Sequence, residues 1–183
     1  MSEDQLIRNC SPTLAGMKAG SMFACTYQTQ EELLEDICRM NQMLSHKGIR
    51  VLLLRCRAGR ALVYVFRPKA VAKVLEDQTA VSLLRKRGYC QISLGPCIHE
   101  LMERLRKYEE FPHEVGLFLG YPPEDVKGFI ENSACHQKCV GCWKVYGDEA
   151  AAQKTFAKYK KCTDVYCAQW EKGKSIERLT VAG

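Results

Sequence analysis

The sequence predicts an α+β protein, mainly helical around a small antiparallel β-sheet, with a cysteine-rich C-terminal subdomain. Three observations predict it. Apolar residues recur at helical spacing in several segments, two β-rich runs flank a short Arg57-Ala58-Gly59 turn, and from Asn132 the spacing of Cys and Gly replaces plain amphipathicity. The chain has 183 residues, 46% hydrophobic and 26% charged, enough for one sizeable core. Wholesale disorder and collagen-like structure are excluded. With no repeat, low-complexity tract or linker in view, the expectation is one integrated domain over 1–183, with residues 132–172 as the cysteine-rich subdomain.

The elements follow in chain order. Pro12 suits the first turn of a short helix from Thr13, because a first-turn proline gives up no needed amide bond. Leu33, Leu34, Ile37, Met40 and Leu44 predict a helix between Glu31 and Lys47, with Gly48 as its stop. Ile49–Cys56 and Arg60–Arg67 read as the two strands of a hairpin, and Pro68 ends the second. A lone hairpin is marginal, so a further strand or packed helices must complete the layer. Residues 69–87 read as one or two helices ending before Gly88, and Cys97–Glu110 as another, with Ile98, Leu101, Met102 and Leu105 on its apolar face. Pro112 opens a compact apolar segment closed by Gly120. Pro122 and Pro123 precede a short helix with Glu124 and Asp125 in its first turn. From Glu149 onward, Phe156, Tyr159, Tyr166 and Trp170 form a helical stripe that reads as packing core.

Charge narrows the partners only slightly. The 27 Lys and Arg exceed the 21 Asp and Glu by six, and four of those six net charges lie from Cys135 onward. Such a balance steers an acidic or redox protein partner, a phosphate-bearing ligand or nucleic acid. Lys154, Lys158, Lys160 and Lys161 beside Tyr159 would serve nucleic acid, but without a recognition module an ordinary solvated face is the favoured reading. No apolar run reaches the length of a membrane helix, and MSEDQLIRNC lacks the basic and apolar regions of a secretory signal, so a cytoplasmic protein is expected. Oligomeric state is left open.

Eleven cysteines are the unusual feature of the composition, and a reducing compartment makes free thiols the default. Cys135, Cys139 and Cys142 form C-x3-C-x2-C, followed by Cys162 and Cys167. Thiolates at such separations suit a soft metal, either zinc on four sulfurs or an iron–sulfur cluster, with His136 as a substitute ligand. Two other readings stay open: packed core thiols, and a redox dithiol in the C-x2-C of Cys139 and Cys142. A separate hypothesis makes Cys10 a nucleophile at a helix entrance, with His113 or His99 as base, although a structural thiol is the simpler role. Lys18 reads as a solvated cation, and His113 with Glu114 as capping or core-edge groups. The glycines from Phe118 to Gly128 form neither a phosphate loop nor a dinucleotide fingerprint, so ATP and nicotinamide cofactors are not expected.

Three blocks in order carry a family resemblance: Cys10-Ser11-Pro12-Thr13-Leu14-Ala15-Gly16, the run from Phe111 to Pro122, and Gly141-Cys142-Trp143-Lys144-Val145-Tyr146. Together they resemble the family called domain of unknown function 3793, over nearly the whole chain through Cys162. The resemblance implies a cytosolic protein of anaerobic Firmicutes folded as one integrated domain. It directs attention to the neighbourhoods of Cys10, His113 and Cys142 and brings no reaction with it. The leading expectation is therefore a cysteine-rich protein holding zinc or an iron–sulfur cluster through Cys139, Cys142, Cys162 and either Cys135 or Cys167, for a structural or redox role. The alternatives are an enzyme using Cys10 with His113 as base, and an interaction protein without metal.

Overall fold

The computed structural model describes residues 1–108 and 110–183. In chain order the elements are α1 (Glu3–Leu14), β1 (Gly20–Thr26), α2 (Gln30–Leu44), β2 (Arg50–Arg57), β3 (Arg60–Phe66), α3 (Pro68–Val74), α4 (Gln78–Lys86), α5 (Leu94–Lys107), α6 (Val115–Phe118), α7 (Pro123–Glu131), β4 (Cys139–Val140), β5 (Lys144–Val145), α8 (Glu149–Glu171) and α9 (Ile176–Leu179). A small antiparallel sheet with mainly helical surroundings makes this an α+β protein. The chain forms two compact units, one of residues 1–69 with 159–183, the other of 70–158. The boundary falls inside α8 and divides the cysteine-rich stretch between them.

The first unit is built on the sheet β1-β3-β2. Ala58 and Gly59 both adopt positive φ, the geometry a two-residue hairpin turn needs between β2 and β3. The third strand, β1, pairs with the other side of β3 from Gly20↔Phe66 to Thr26↔Arg60. On β2 the register slips between Leu53 and Arg55, leaving Leu54 as the extra residue of a bulge. That slip has a packing consequence. It brings Cys56 onto the same face as Leu53, where both join the core of Phe23, Cys25, Ala61, Val63 and Val65 under α1 and α2. Fully buried Leu54 goes to the opposite face, which also carries the stacked pair Tyr64 and Phe66, their centroids 4.5 Å apart.

Two side-chain clamps fix the helices to this sheet. The Asn41 side-chain amide of α2 accepts from Val51 N at 2.9 Å and donates to Val51 O at 2.8 Å, so edge strand β2 meets a partner that mimics a strand. Arg67, just past β3 and buried, donates to Thr13 O, Leu14 O and Val181 O, each at 2.7 Å, and to Lys47 O at 3.3 Å. Thr13 and Leu14 end α1, whose last turn has no basic residue of its own. Arg67 therefore supplies the cation that the negative end of that helix favours. Burial lowers its pKa from the ordinary value, and its delocalised charge tolerates this. Tyr166, Cys167 and Trp170, from the end of α8, pack against the same core.

The expected helix start at Thr13 is corrected. α1 begins ten residues earlier in a capping box, with Ser2 Oγ accepting from Gln5 N and Ser2 N donating to Gln5 Oε1. Pro12 lies inside the last turn, so the Pro signal marked the wrong end of the helix. Cys10 accordingly sits within α1 rather than at a helix entrance.

The second unit is helical. Cys97, Ile98, Leu101 and Leu105 of α5 are buried, as are Ala80, Leu83 and Leu84 of α4, whose N-cap Asp77 accepts from Thr79 N and Ala80 N. The segment from Pro112 to Gly120 contains the single turn α6, with Val115, Gly116, Leu117 and Phe118 all buried. Pro123 begins α7, which packs against α4, α6 and β5. No helix among the described residues is long and apolar enough to cross a membrane.

Removing Arg67 would strand several buried carbonyls at once. Arg67→Met should lower stability by about 3 kcal/mol, read as a lower urea midpoint. A loss under about 0.5 kcal/mol would show that water replaces the guanidinium there.

Candidate functional site in the second unit

The site begins with the smallest sheet in the protein. β4 and β5 pair Cys139 with Val145 and Val140 with Lys144, and Gly141 N closes the loop onto Trp143 O at 3.0 Å. This tight turn leaves Cys142 exposed while Trp143 is buried. Gly141 is required because a Cβ there would overlap the Phe156 ring. Trp143 in turn stacks on Tyr121 at 4.9 Å and meets Phe156 edge-on at 4.5 Å.

Asp125 holds this hairpin to α7. Its carboxylate, 3% exposed, accepts from Trp143 Nε1 at Oδ2 and from Tyr146 N and Gly147 N at Oδ1, all at 2.7 Å. A buried carboxylate is costly unless its lone pairs are filled, and here N–H groups fill them. Among the described residues it has no ion-pair partner.

Between α7, the hairpin and the segment before α6 lies a cavity of about 490 Å³. Phe111, Pro112 and Val115 line it on one side, Tyr121, Val126 and Phe129 on another, and Val140, Gly141 and Trp143 on the hairpin side. Its polar groups are few: Glu110, His113, Asp125 and Lys144. His113 meets the Phe129 ring edge-on at 5.0 Å, with its Nε2 3.6 Å from Glu110 Oε1. Lys144 Nζ lies 5.8 Å from the Phe129 centroid and donates to Ala134 O at 2.7 Å.

Behind His113, Glu114 is 1% exposed and anchors the segment. It accepts from Tyr89 Oη at 3.2 Å and lies 3.6 Å from Arg104 Nη1 and 4.0 Å from Arg87 Nε, while Arg104 stacks over Tyr89 at 4.6 Å. Burial, then the Glu114 charge, pushes the Tyr89 pKa up, so this phenol stays a donor.

A family model for proteins of unknown function, DUF3793, matches residues 6–180. The chain belongs to the DUF3793 family. No curated protein and no solved structure matches it. In this DUF3793 chain, two of the three sequence blocks that carried the resemblance, Phe111–Pro122 and Gly141–Tyr146, meet at the cavity.

The cysteines of the expected metal set fall in both units. Cys135, Cys139 and Cys142 belong to the second unit, Cys162 and Cys167 to the first, and all eleven are free. Among the described residues no three His, Cys, Asp or Glu side chains are grouped to hold a metal ion. Cys139 lies in β4, half-buried, and exposed Cys142 lies in the turn that follows it. Burial raises the Cys139 thiol, with Glu149 adding to it, and burial also raises Cys162. Cys10 is fully buried in the first unit, and His113 is part of the second. Lys154, Lys158, Lys160 and Lys161 are exposed along α8.

Sequence reasoning missed Asp125, Tyr121, Phe129 and Lys144 as site residues. Asp125 reads as an ordinary first-turn acid after Pro123, and that explanation conceals its bonds to a hairpin some twenty residues onward.

Desolvation pushes the Cys10 thiol up to about 12 from 9.0. Between those values the unfolded chain has released a proton that the folded chain keeps. Stability from this group is therefore whole below about pH 9 and falls as pH rises further. The urea midpoint should drop from about pH 9 upward and drop less in Cys10→Ala. At about pH 8 iodoacetamide should modify Cys38, Cys90, Cys135 and Cys142 well before Cys10. Rapid native-state alkylation of Cys10 would return it to consideration as a nucleophile.

Proposed function

We propose that the second unit is a small-molecule-binding module whose ligand is a flat, largely apolar compound held in the cavity beside Trp143. The observation that carries this reading is the cavity itself. About 490 Å³ lined by aromatic and aliphatic side chains, with few polar groups, is the usual makeup of a ligand pocket. The space opens to solvent beside exposed Val140 and Phe111, so a ligand has a way in. Its walls are also braced from behind: Asp125 fixes the indole and the hairpin, and Glu114 fixes the segment carrying His113. Bracing of this kind lets a pocket exist before its ligand arrives, which lowers the ordering cost of binding.

Zinc or an iron–sulfur cluster on Cys135, Cys139 and Cys142 with Cys162 or Cys167 is the second reading, and it rests on the spacing of these thiols. Zinc, iron and acid-labile sulfide should be measured on protein purified anaerobically without chelator or metal-binding tag. Stoichiometric metal would shift the function to the thiols.

Val140 tests the pocket without disturbing the core, because it lines the cavity while remaining 63% exposed. With 2-naphthamide as a neutral probe, calorimetry should detect saturable binding to the wild-type chain. Val140→Trp should weaken it about tenfold by filling the mouth, with thermal stability nearly unchanged. Equal binding to both proteins would contradict this location.

A further inference from the structure

The charges around the cavity are unequally compensated, and the imbalance names a ligand class. Four lining side chains are acidic or basic: Glu110, His113, Asp125 and Lys144. Glu110 is 84% exposed and faces His113, so each has the other and water. Asp125 is satisfied by three N–H donors at 2.7 Å. Lys144 is different. Its ammonium has one neutral carbonyl, Ala134 O, and the π face of Phe129, and among the described residues no carboxylate pairs with it. An ammonium has three donors, so this leaves donor capacity and a full positive charge at the wall of an apolar cavity.

We infer that the ligand is an aromatic monocarboxylate, its ring in the apolar cavity and its carboxylate on Lys144. This rests on the pocket reading above and specifies its chemistry. A cationic ligand is disfavoured because Lys144 already holds the Phe129 face that would receive it. A dianion such as a phosphate ester is disfavoured because one ammonium neutralises one charge, and the surplus would lie in a cavity that Asp125 also lines. A single carboxylate fits both limits. It adds a charge-assisted hydrogen bond at a half-buried cation, where such bonds are stronger than in open water.

The test compares 2-naphthoate, 2-naphthamide and 2-naphthylmethylammonium by calorimetry on the full chain. The three probes share a ring and differ in charge. Naphthoate should bind about tenfold more tightly than naphthamide, and the ammonium probe more weakly than either. Lys144→Met should reduce the naphthoate preference over naphthamide to about twofold or less, and Lys144→Arg should restore most of it. An unchanged circular-dichroism spectrum and thermal midpoint show that the variant keeps its fold. Equal wild-type affinity for naphthoate and naphthamide would overturn the carboxylate assignment and leave the pocket standing, as would a preference that survives Lys144→Met. If no probe binds at millimolar concentration, the pocket reading falls and the assignment falls with it.

Discussion

Asp125 ties three things that the chain presents separately: the first turn of α7, the Trp143 indole and the backbone just past β5. An ionised carboxylate taken out of water costs several kcal/mol, and that cost is recovered here only if all three donors stay in place. The constraint therefore acts on geometry. The hairpin cannot swing from α7 without exposing or orphaning the charge, and the stack of Tyr121, Trp143 and Phe156 follows the hairpin. A hairpin with only two residues in each strand would be marginal on its own. Its order derives from the carboxylate.

The first unit solves a comparable problem with the opposite charge. Arg67 is buried and is held by four backbone carbonyls, three of them at 2.7 Å. It joins the end of α1, the turn before β2 and the C-terminal segment, none of which is adjacent in sequence. In both units a buried ion whose partners are largely main-chain groups sets the position of elements that hydrophobic packing alone would leave free to slide. Apolar burial gives the driving force without direction, and these directional bonds choose one arrangement.

Much of this architecture was legible in the sequence, and the misses have physical causes. The helix of Glu31–Lys47 and the hairpin around Ala58-Gly59 show through because periodicity and turn chemistry are local signals. β1 is not legible in the sequence. Its sequence Gly-Ser-Met-Phe-Ala-Cys-Thr lacks the Val and Ile density of β2 and β3, and its identity as a strand comes from pairing with β3 across some forty residues. The cysteine spacing marks a real local feature, the tight turn that carries Cys142 beside Cys139 of β4, but spacing alone does not say what the thiols do there. The site was half legible: His113 and the Trp143 block were marked, whereas Asp125 and Lys144 acquire meaning only when α7 and the hairpin are brought together.

The account depends on the cavity wall being rigid before any ligand binds. Hydrogen exchange followed by NMR at the Trp143 indole N–H and the Tyr146 and Gly147 amides tests this most directly. If Asp125 holds the wall, the three protons should exchange slowly and at similar rates, comparable to the buried helices of the second unit. Exchange at the rate of open loop amides would contradict the account, because a wall that opens so freely could not keep a preformed pocket.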